Sequence, residues 1–240
     1  MNSQKAIVIG ASSGIGKELA KILAHNNYVV GITGRRIHLL EELQKELSAS
    51  IFVKQMDISR TQEAITQLKE LIAEIGGMDL IIINAGIGFI NPDLELEKEQ
   101  ATIDVNVSGF IAMATTAMKY FLAQKSGHIV AISSIAALRG NRGAPAYDAS
   151  KAFMSNYMEG LRTFVAHSGF PIATTDIKPG FVDTAMAQGE HIFWQASAEK
   201  AATQIFHAIK NKRKHAYITR RWRIIAWLFR NIPDFIYDRL

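Results

Sequence analysis

Short apolar runs alternate with longer amphipathic segments along almost the whole chain. The apolar runs lie at residues 6–9, 28–33, 51–56, 80–84, 128–133, 172–177 and 215–218. Most of them are continuously apolar, which is typical of strands that are buried on both faces. Between the early runs, apolar residues recur every three or four positions, as in Leu19, Ile22 and Leu23. This second pattern predicts helices between the strands.

Strands that are separated by helices predict a parallel sheet, because parallel neighbours need a long crossover connection. We therefore expect an α/β fold, a doubly wound, Rossmann-like parallel sheet of about seven strands covered by helices on both sides. The 240 residues contain no internal repeat and no linker rich in Pro, Gly or Ser. We expect a single domain at 1–219 and a basic amphipathic C-terminal segment at 220–240.

Composition excludes several classes of protein and site. The apolar fraction of 48% is too high for a disordered chain. The absence of cysteine excludes disulfides, thiolate metal sites and a cysteine nucleophile. The seven histidines show no metal-binding spacing, so we expect no metal site. Without a leader sequence or an apolar run of membrane-spanning length, a soluble, cytoplasmic protein is expected.

The positive charge of the chain is concentrated at its C-terminal end. The net charge is +5, yet residues 211–240 alone hold eight basic and two acidic residues. Residues 1–210 are therefore nearly neutral, with 19 basic and 20 acidic residues. This distribution argues against nucleic-acid binding by the domain as a whole, and no base-reading module accompanies the basic segment.

A glycine-rich turn follows the first predicted strand and precedes a predicted helix. Its sequence is Gly10-Ala11-Ser12-Ser13-Gly14-Ile15-Gly16. Glycines in such a turn allow positive φ angles and let a pyrophosphate approach the backbone, while the helix N-terminus attracts the phosphates. The turn predicts a dinucleotide site; a glycine turn without a ligand is the alternative.

The end of the second predicted strand indicates which dinucleotide would bind. A carboxylate there would hold the ribose of NAD, but this chain has Arg35 and Arg36, and the next acidic residue is Glu41. Guanidinium groups can grip a 2′-phosphate bidentately, which favours NADP (NADPH). The alternative is a solvated basic pair at the start of a helix.

Tyr147 and Lys151 form a pair with catalytic potential. Residues four apart lie on one face of a helix, and a nearby ammonium lowers the pKa of a phenol. A tyrosine with a lowered pKa can exchange protons with a carbonyl or an alcohol. Ser134 follows a predicted strand at the carboxyl edge of the sheet, where it could hold the substrate oxygen. The alternatives are that Tyr147 and Lys151 are an exposed pair without a catalytic role, and that Ser134 only stabilises a turn.

Taken together, these residues resemble the short-chain dehydrogenase/reductase family over roughly residues 5–219. Eight features occur in the order and spacing of that family: Gly10…Gly14-x-Gly16, Asp57, Asn84-Ala85-Gly86, Asn106, Ser134, Tyr147-x-x-x-Lys151, Pro179-Gly180 and Thr184. In one departure, Ser13 stands where some NADP-dependent members have a basic residue. The NADP prediction therefore depends on the arginine pair.

The resemblance implies roles for the matching residues. Tyr147 would be the general acid and base, Ser134 would orient the carbonyl, and Lys151 would bind the nicotinamide ribose and lower the tyrosine pKa. Asn106, on a kinked helix, would support a proton relay. The expected cofactor contacts, including the two arginines, are Gly10, Ser12, Ser13, Gly14, Ile15, Gly16, Arg35, Arg36, Asp57, Ile58, Asn84, Ala85, Gly86, Tyr147, Lys151, Pro179, Gly180, Val182 and Thr184.

The expected function is NADP(H)-dependent interconversion of a carbonyl and a secondary alcohol on a small, hydrophobic substrate. The alternative is a non-catalytic dinucleotide-binding scaffold or sensor that docks partners or membrane through its tail. The family implies a homodimer or homotetramer. Four apolar residues in the expected substrate segment would either line the pocket or pack on the core. They are Met186, Ile192, Phe193 and Trp194. Arg139 and Arg142 are expected to face water; the alternative is contact with an acidic group of the substrate.

The C-terminal segment shows an apolar stripe at helical spacing. Its members are Trp222, Ile225, Phe229, Ile232 and Ile236. Pro233 is expected to end or kink the helix. A basic amphipathic helix with tryptophans is typical of peripheral membrane contact, here through residues 220–240. The alternative is a helix that packs on its own or a neighbouring subunit and caps the pocket.

Overall fold

A computed structural model of the protein describes residues 3–47, 51–184 and 194–237. Its strands are β1 (Lys5–Ile9), β2 (Val29–Gly34), β3 (Ile51–Gln55), β4 (Leu80–Ile83), β5 (Gly127–Ile132), β6 (Ile172–Pro179), β7 (Val182–Asp183), β8 (Ala196–Ser197) and β9 (His215–Ile218). Its helices are α1 (Gly14–His25), α2 (Ile37–Leu47), α3 (Thr61–Glu74), α4 (Leu96–Ile103), α5 (Phe110–Gln124), α6 (Pro145–Ala166), α7 (Ala198–Lys210), α8 (Trp222–Asn231) and α9 (Asp234–Tyr237). A π-helical segment spans Asp104–Gly109, and a 3₁₀ helix spans Ile135–Leu138.

The main sheet is parallel and has seven strands in the order β3-β2-β1-β4-β5-β6-β9. All seven predicted strands are in this sheet, and the doubly wound α/β fold is confirmed. The strand order reverses between β1 and β4, which opens a crevice at their carboxyl ends. Ligands of doubly wound sheets bind at this position. The two-residue strands β7 and β8 pair separately and were not predicted.

Helices cover both faces of the sheet. One face packs against α3, α5 and α6 through side chains such as Phe110 and Phe121, which are fully buried. The other face packs against α1, α2 and α7 through side chains such as Leu19, Leu23 and Ile205. Each buried aliphatic or aromatic side chain of this kind stabilises the fold by about 1.5–3 kcal/mol. The two cores hold the strand ends, and the residues that follow them, in fixed positions.

The C-terminal helices pack on the body of the same chain. Trp222 is buried, and its ring packs on Gly180, which follows β6. Of the predicted stripe, Ile225, Phe229 and Ile232 are partly buried, whereas Ile236 is exposed. The predicted break at Pro233 is confirmed, since α8 ends two residues before it and α9 begins one residue after it. Within the described part of the chain, no helix is long and apolar enough to cross a membrane.

The expectation that Arg139 faces water is wrong. Its guanidinium donates to the carbonyl oxygen of Ile232 at 3.0 Å, pairs with Asp234 at 2.8 Å and lies 4.2 Å from the ring centroid of Tyr237. The carbonyl groups at the C-terminal end of α8 need donors, and this arginine supplies one from a position 93 residues earlier in the chain. Arg142 is exposed, as expected.

Candidate active site

The glycine turn lies at the crevice between β1 and β4. Gly10 has a φ of +88°, which side chains rarely adopt. A Cβ atom at Gly16 would collide with the carbonyl oxygen of Gly10 and the side chain of Asn84. The side-chain amide of Asn84 donates to the carbonyl oxygen of Gly10 at 2.7 Å, and this hydrogen bond joins the turn to the loop after β4. The turn thus exposes bare backbone where a pyrophosphate would lie.

The N-terminus of α1 is open toward the same space. Ser13 is the N-cap, yet its side chain makes no capping hydrogen bond, and the first turn has no acidic residue. Arg36 reaches across from the end of β2 and donates to the hydroxyl oxygens of Ser12 at 2.8 Å and Ser13 at 2.7 Å. Bare backbone, an uncapped helix end and a guanidinium fit a phosphate-bearing dinucleotide.

Among the described residues, the second predicted arginine is anchored through its backbone. The carbonyl oxygen of Arg35 accepts a hydrogen bond from Gln55 at 3.0 Å, and the residue is exposed. Asp57 lies beyond β3, where one carboxylate oxygen accepts from the backbone N–H and the hydroxyl of Ser59. Ile58 is buried beside it. These residues form the rim of the crevice on the side of β2 and β3.

Ser134 and Tyr147 lie together at the carboxyl edge of β5. Ser134 caps the 3₁₀ helix by accepting from the backbone of Ala136 at 3.1 Å. The preceding Ser133 is committed elsewhere, because it donates to Asp176 at 2.5 Å and to Ile177 at 2.9 Å. Of the two neighbouring serines, only Ser134 interacts with Tyr147. The structure therefore separates their roles, which sequence spacing alone could not do.

Tyr147 and Lys151 lie on one face of α6, as predicted. The Nζ atom of Lys151 is 5.6 Å from the Tyr147 ring centroid and donates to the carbonyl oxygen of Ile132 at 3.0 Å. Burial lowers the pKa of Lys151 to about 8, while Asp176 opposes that shift. Burial raises the pKa of Tyr147, partly offset by a hydrogen bond to Ser134. The pKa of Tyr147 therefore shifts upward, opposite to the lowering expected from the lysine, because desolvation of the phenolate is the largest cause.

Asn106 lies in the π-helical segment and is fully buried. Its side chain accepts from the backbone N–H of Ile87 at 2.9 Å and donates to the carbonyl oxygen of Ile87 at 2.7 Å and to Ser150 at 3.0 Å. Asn106 therefore holds the loop that contains Asn84, Ala85 and Gly86 against α6. The π-helical geometry is the kink that the resemblance implied, and π-bulges are frequent at functional sites.

The residues after β6 close the other side of the crevice. The N–H of Gly180 donates to the carbonyl oxygen of Ile218 at 2.6 Å, and Val182 lies in β7. A methyl group of Thr184 lies close to Gly14 of the glycine turn. Contacts of this kind join the glycine turn to the loop after β4 and to Thr184. Met186, Ile192 and Phe193 lie outside the described residues.

A buried polar network behind the site was not predicted. Asp176 accepts from Ser133, from Ser155 at 2.6 Å and from Lys178, with which it forms a buried ion pair. It also favours the charged form of Lys151. The signal in the sequence is two charged residues in alternate positions of β6, a strand that is otherwise uncharged. Among the described residues, no group of three or more His, Asp or Glu side chains could hold a metal ion.

Comparison with known proteins agrees with this architecture. The family described as short chain dehydrogenase matches residues 4–192. The chain belongs to the short-chain dehydrogenase family. An uncharacterized oxidoreductase of Myxococcus xanthus is 37% identical over 191 residues, which cover 78% of this chain and 75% of that relative. This chain is therefore an oxidoreductase of the short-chain dehydrogenase family.

Two solved structures have the same fold. A short-chain dehydrogenase/reductase from Burkholderia phymatum, in complex with NAD, has a TM-score of 0.87 and 20% identity, with 95% of this chain and 92% of that chain covered. An alcohol dehydrogenase from Thermococcus sibiricus, complexed with 5-hydroxy-NADP, has a TM-score of 0.80 and 21% identity, with 90% and 96% covered. At such low identity these two structures inform on the fold alone.

Proposed function

We propose that this short-chain dehydrogenase uses NADPH to reduce a small, hydrophobic carbonyl compound to an alcohol, and catalyses the reverse oxidation with NADP. The observation that carries the proposal is the convergence of Ser134, Tyr147 and Lys151 beside a crevice that fits a dinucleotide. A protein that only senses a dinucleotide needs no phenol and ammonium at this position. The bound nicotinamide would supply or accept the hydride at the carbonyl carbon.

The chain's own residues would manage the oxygen and its proton. Ser134 donates a hydrogen bond to the carbonyl oxygen, and Tyr147 gives its phenolic proton to that oxygen as the carbon–oxygen double bond becomes single. The buried ammonium of Lys151 then stabilises the phenolate that Tyr147 leaves behind. Burial raises the pKa of Tyr147, so its proton transfer depends on groups that stabilise the phenolate.

The apolar surface beside Tyr147 supports a hydrophobic substrate. Gly88 packs directly against the Tyr147 ring. Phe89 and Ile90 follow it and are 39% and 51% exposed. Exposed apolar side chains beside a catalytic group are typical of a binding site. An aliphatic or aromatic ketone or aldehyde fits this surface better than a charged substrate does.

Replacing the phenol tests the catalytic role. Turnover of NADPH with a panel of ketones, aldehydes and acyl thioesters is measured by absorbance. For Tyr147→Phe we expect a roughly 10²- to 10⁴-fold loss of turnover, the usual contribution of a general acid, with NADPH binding retained. Tyr157→Phe is the matched control, because Tyr157 lies on the same helix and its hydroxyl forms a hydrogen bond with Thr115 of α5 at 3.1 Å. Equal turnover of Tyr147→Phe and wild type would contradict the role.

The preference for NADP is part of the proposal and depends on Arg36. Arg36→Leu removes the guanidinium that spans Ser12 and Ser13. Loss of a charged hydrogen bond should weaken NADPH binding roughly 10- to 100-fold and leave NADH binding nearly unchanged. Arg35→Leu measures the share of the second arginine in the same titrations.

Arg213→Leu is the control for loss of positive charge, since Arg213 precedes β9 at the opposite edge of the sheet. Binding of both dinucleotides is followed by nicotinamide fluorescence. Equal weakening of NADPH and NADH by Arg36→Leu would contradict the preference for NADP, although it would leave the catalytic role of Tyr147 intact.

A further inference from the structure

Helix α8 is apolar on two sides, and only one of them packs on the protein. The inner side places Trp222 and Ala226 in the core. On the other side, Ile224 and Trp227 are each 67% exposed and Leu228 is 43% exposed. Their spacing of three and four residues puts them on one face. Phe235 of α9 is 66% exposed, and we call these four residues the outer face.

Positive charge surrounds the outer face. Arg220, Arg223 and Arg230 are exposed on α8 or just before it. Between residues 220 and 237 the only acidic residue is Asp234, and it is already paired with Arg139 at 2.8 Å. The arginines are therefore not neutralised within this segment. The surface combines exposed tryptophan, phenylalanine and aliphatic side chains with a surplus of guanidinium groups.

We propose that the outer face docks this protein onto an anionic phospholipid surface. Helices that lie in a membrane interface bury apolar side chains about 5–10 Å into the acyl boundary, and basic side chains contact the headgroups. Each arginine near an anionic surface strengthens binding about fivefold. The apolar side chains and the arginines here meet both requirements. This docking is independent of the proposed reaction.

A second copy of the chain fits the outer face less well. A two-fold interface would bring the same surface of both copies together. Two copies of the segment 220–237, each with four arginines and the single acidic residue Asp234, would then face one another, and like charges at close range are unfavourable. Residues 1–210, with 19 basic and 20 acidic residues, offer little compensating negative charge. Charge complementarity therefore favours an anionic lipid surface.

The outer face lies near the carboxyl ends of the strands, where the candidate active site is also located. Helix α8 begins four residues after β9 ends, and Trp222 at its start packs on Gly180. Its C-terminal end is held by Arg139, which follows the 3₁₀ helix capped by Ser134. Docking through the outer face would thus bring that edge of the sheet to the membrane.

Vesicle binding of the full chain tests the proposal. The protein is co-sedimented with vesicles of phosphatidylcholine alone and of phosphatidylcholine with one-third phosphatidylglycerol. We expect binding to the anionic vesicles only, lost at about 1 M salt where the screening length falls to about 3 Å. Trp227→Glu combined with Leu228→Glu should weaken binding at least about tenfold. The control is Leu96→Glu combined with Phe164→Glu, which alters equally exposed apolar residues on other helices.

The charge contribution is tested by a second pair of variants. Arg223→Gln combined with Arg230→Gln should weaken vesicle binding about 25-fold. The control is Arg60→Gln combined with Lys69→Gln, which removes the same charge at α3 and should leave vesicle binding unchanged. This pair keeps the proposal testable if the glutamate variant fails to fold. Trp227 supplies an independent signal, because its emission should shift to the blue on anionic vesicles and the shift should vanish in Trp227→Phe.

Three results would overturn membrane docking. The first is no binding, or equal binding to both vesicle types. The second is equal weakening by the tail variants and their controls. The third is a smaller assembly of the glutamate variant in sedimentation velocity, together with a wild type that ignores vesicles, because a second copy would then cover the outer face.

Discussion

Asp148, which follows the candidate catalytic tyrosine, has an unusual environment. It is 2% exposed. One carboxylate oxygen accepts from the backbone N–H of Asn141 at 2.7 Å and from its side chain at 2.6 Å. The other oxygen has no hydrogen-bond partner among the described residues. Burial raises the pKa of Asp148 to about 7, although the bond from Asn141 opposes the shift. The carboxyl group is therefore partly protonated at neutral pH.

This shift makes the stability of the protein depend on pH. The carboxyl has a pKa of about 3.9 when unfolded and about 7 when folded. The folded state binds the proton more tightly than the unfolded state does. The stabilisation that this proton gives the folded protein is therefore complete below about pH 4 and is lost as the pH rises through about 7. Asp148→Asn abolishes this titration. As the pH rises from 5 to 8, the free energy of unfolding should fall by roughly 2–3 kcal/mol less in Asp148→Asn than in the wild type.

Urea unfolding at pH 5, 6, 7 and 8 measures the difference. Asp93→Asn is the matched control, because Asp93 is exposed. Parallel stability curves for wild type and Asp148→Asn would show that Asp148 has an ordinary pKa in the folded protein.

At the scale of elements, the sequence predicted the seven strands of the main sheet because each is a short, mostly apolar run, and the central strands are buried on both faces. Such strands are continuously apolar, as in Leu80–Ile83, whose four residues are all buried. The same reasoning could not find β7 and β8, since two residues carry no periodicity. Nor does apolar spacing mark the π-helical segment, which was expected only through the resemblance. The β7–β8 pair and the π-helical segment both border the candidate active site.

Helix α8 shows why a pattern can identify a helix but not its orientation. Seven of its ten residues are apolar, and they cover most of its circumference. Four of the five residues in the predicted stripe are buried or partly buried, as the alternative of a self-packing helix predicted, whereas Ile236 is exposed. The exposed side, with Ile224 and Trp227, is equally apolar. Only the contacts of the folded chain distinguish the two sides.

The candidate site was predictable to a similar extent. Tyr147 and Lys151 are four residues apart, so helical geometry alone places them together. The partners of Asp176 are not local, because Ser133 is 43 residues away and follows a different strand, β5. A hydrogen bond of this kind depends on strand order and register, which here pair Ala131 with Asp176. The polar network behind the site therefore required the structure.

At the scale of the whole molecule, one side chain joins the tail to the active-site edge of the domain. Arg139 donates to the carbonyl oxygens of Phe229 at 3.4 Å and Ile232 at 3.0 Å. Tyr237 completes the attachment by donating to the carbonyl oxygen of Gly140 at 2.9 Å. These contacts span more than 90 residues of sequence. The position of α8 and α9 thus depends on the loop between Ser134 and Tyr147.

Arg139→Ala should therefore loosen the tail while leaving the sheet intact. The ion pair with the exposed Asp234 contributes little, but the carbonyl contacts and the stacking on Tyr237 together stabilise the tail by about 1–2 kcal/mol. We expect faster amide exchange across residues 226–237 and faster tryptic cleavage at Arg230, with unchanged exchange in β1 and β4. Arg142→Ala is the control, since Arg142 lies in the same loop and is exposed. Wild-type exchange rates in Arg139→Ala would show that the inner side of α8 holds the tail without the arginine.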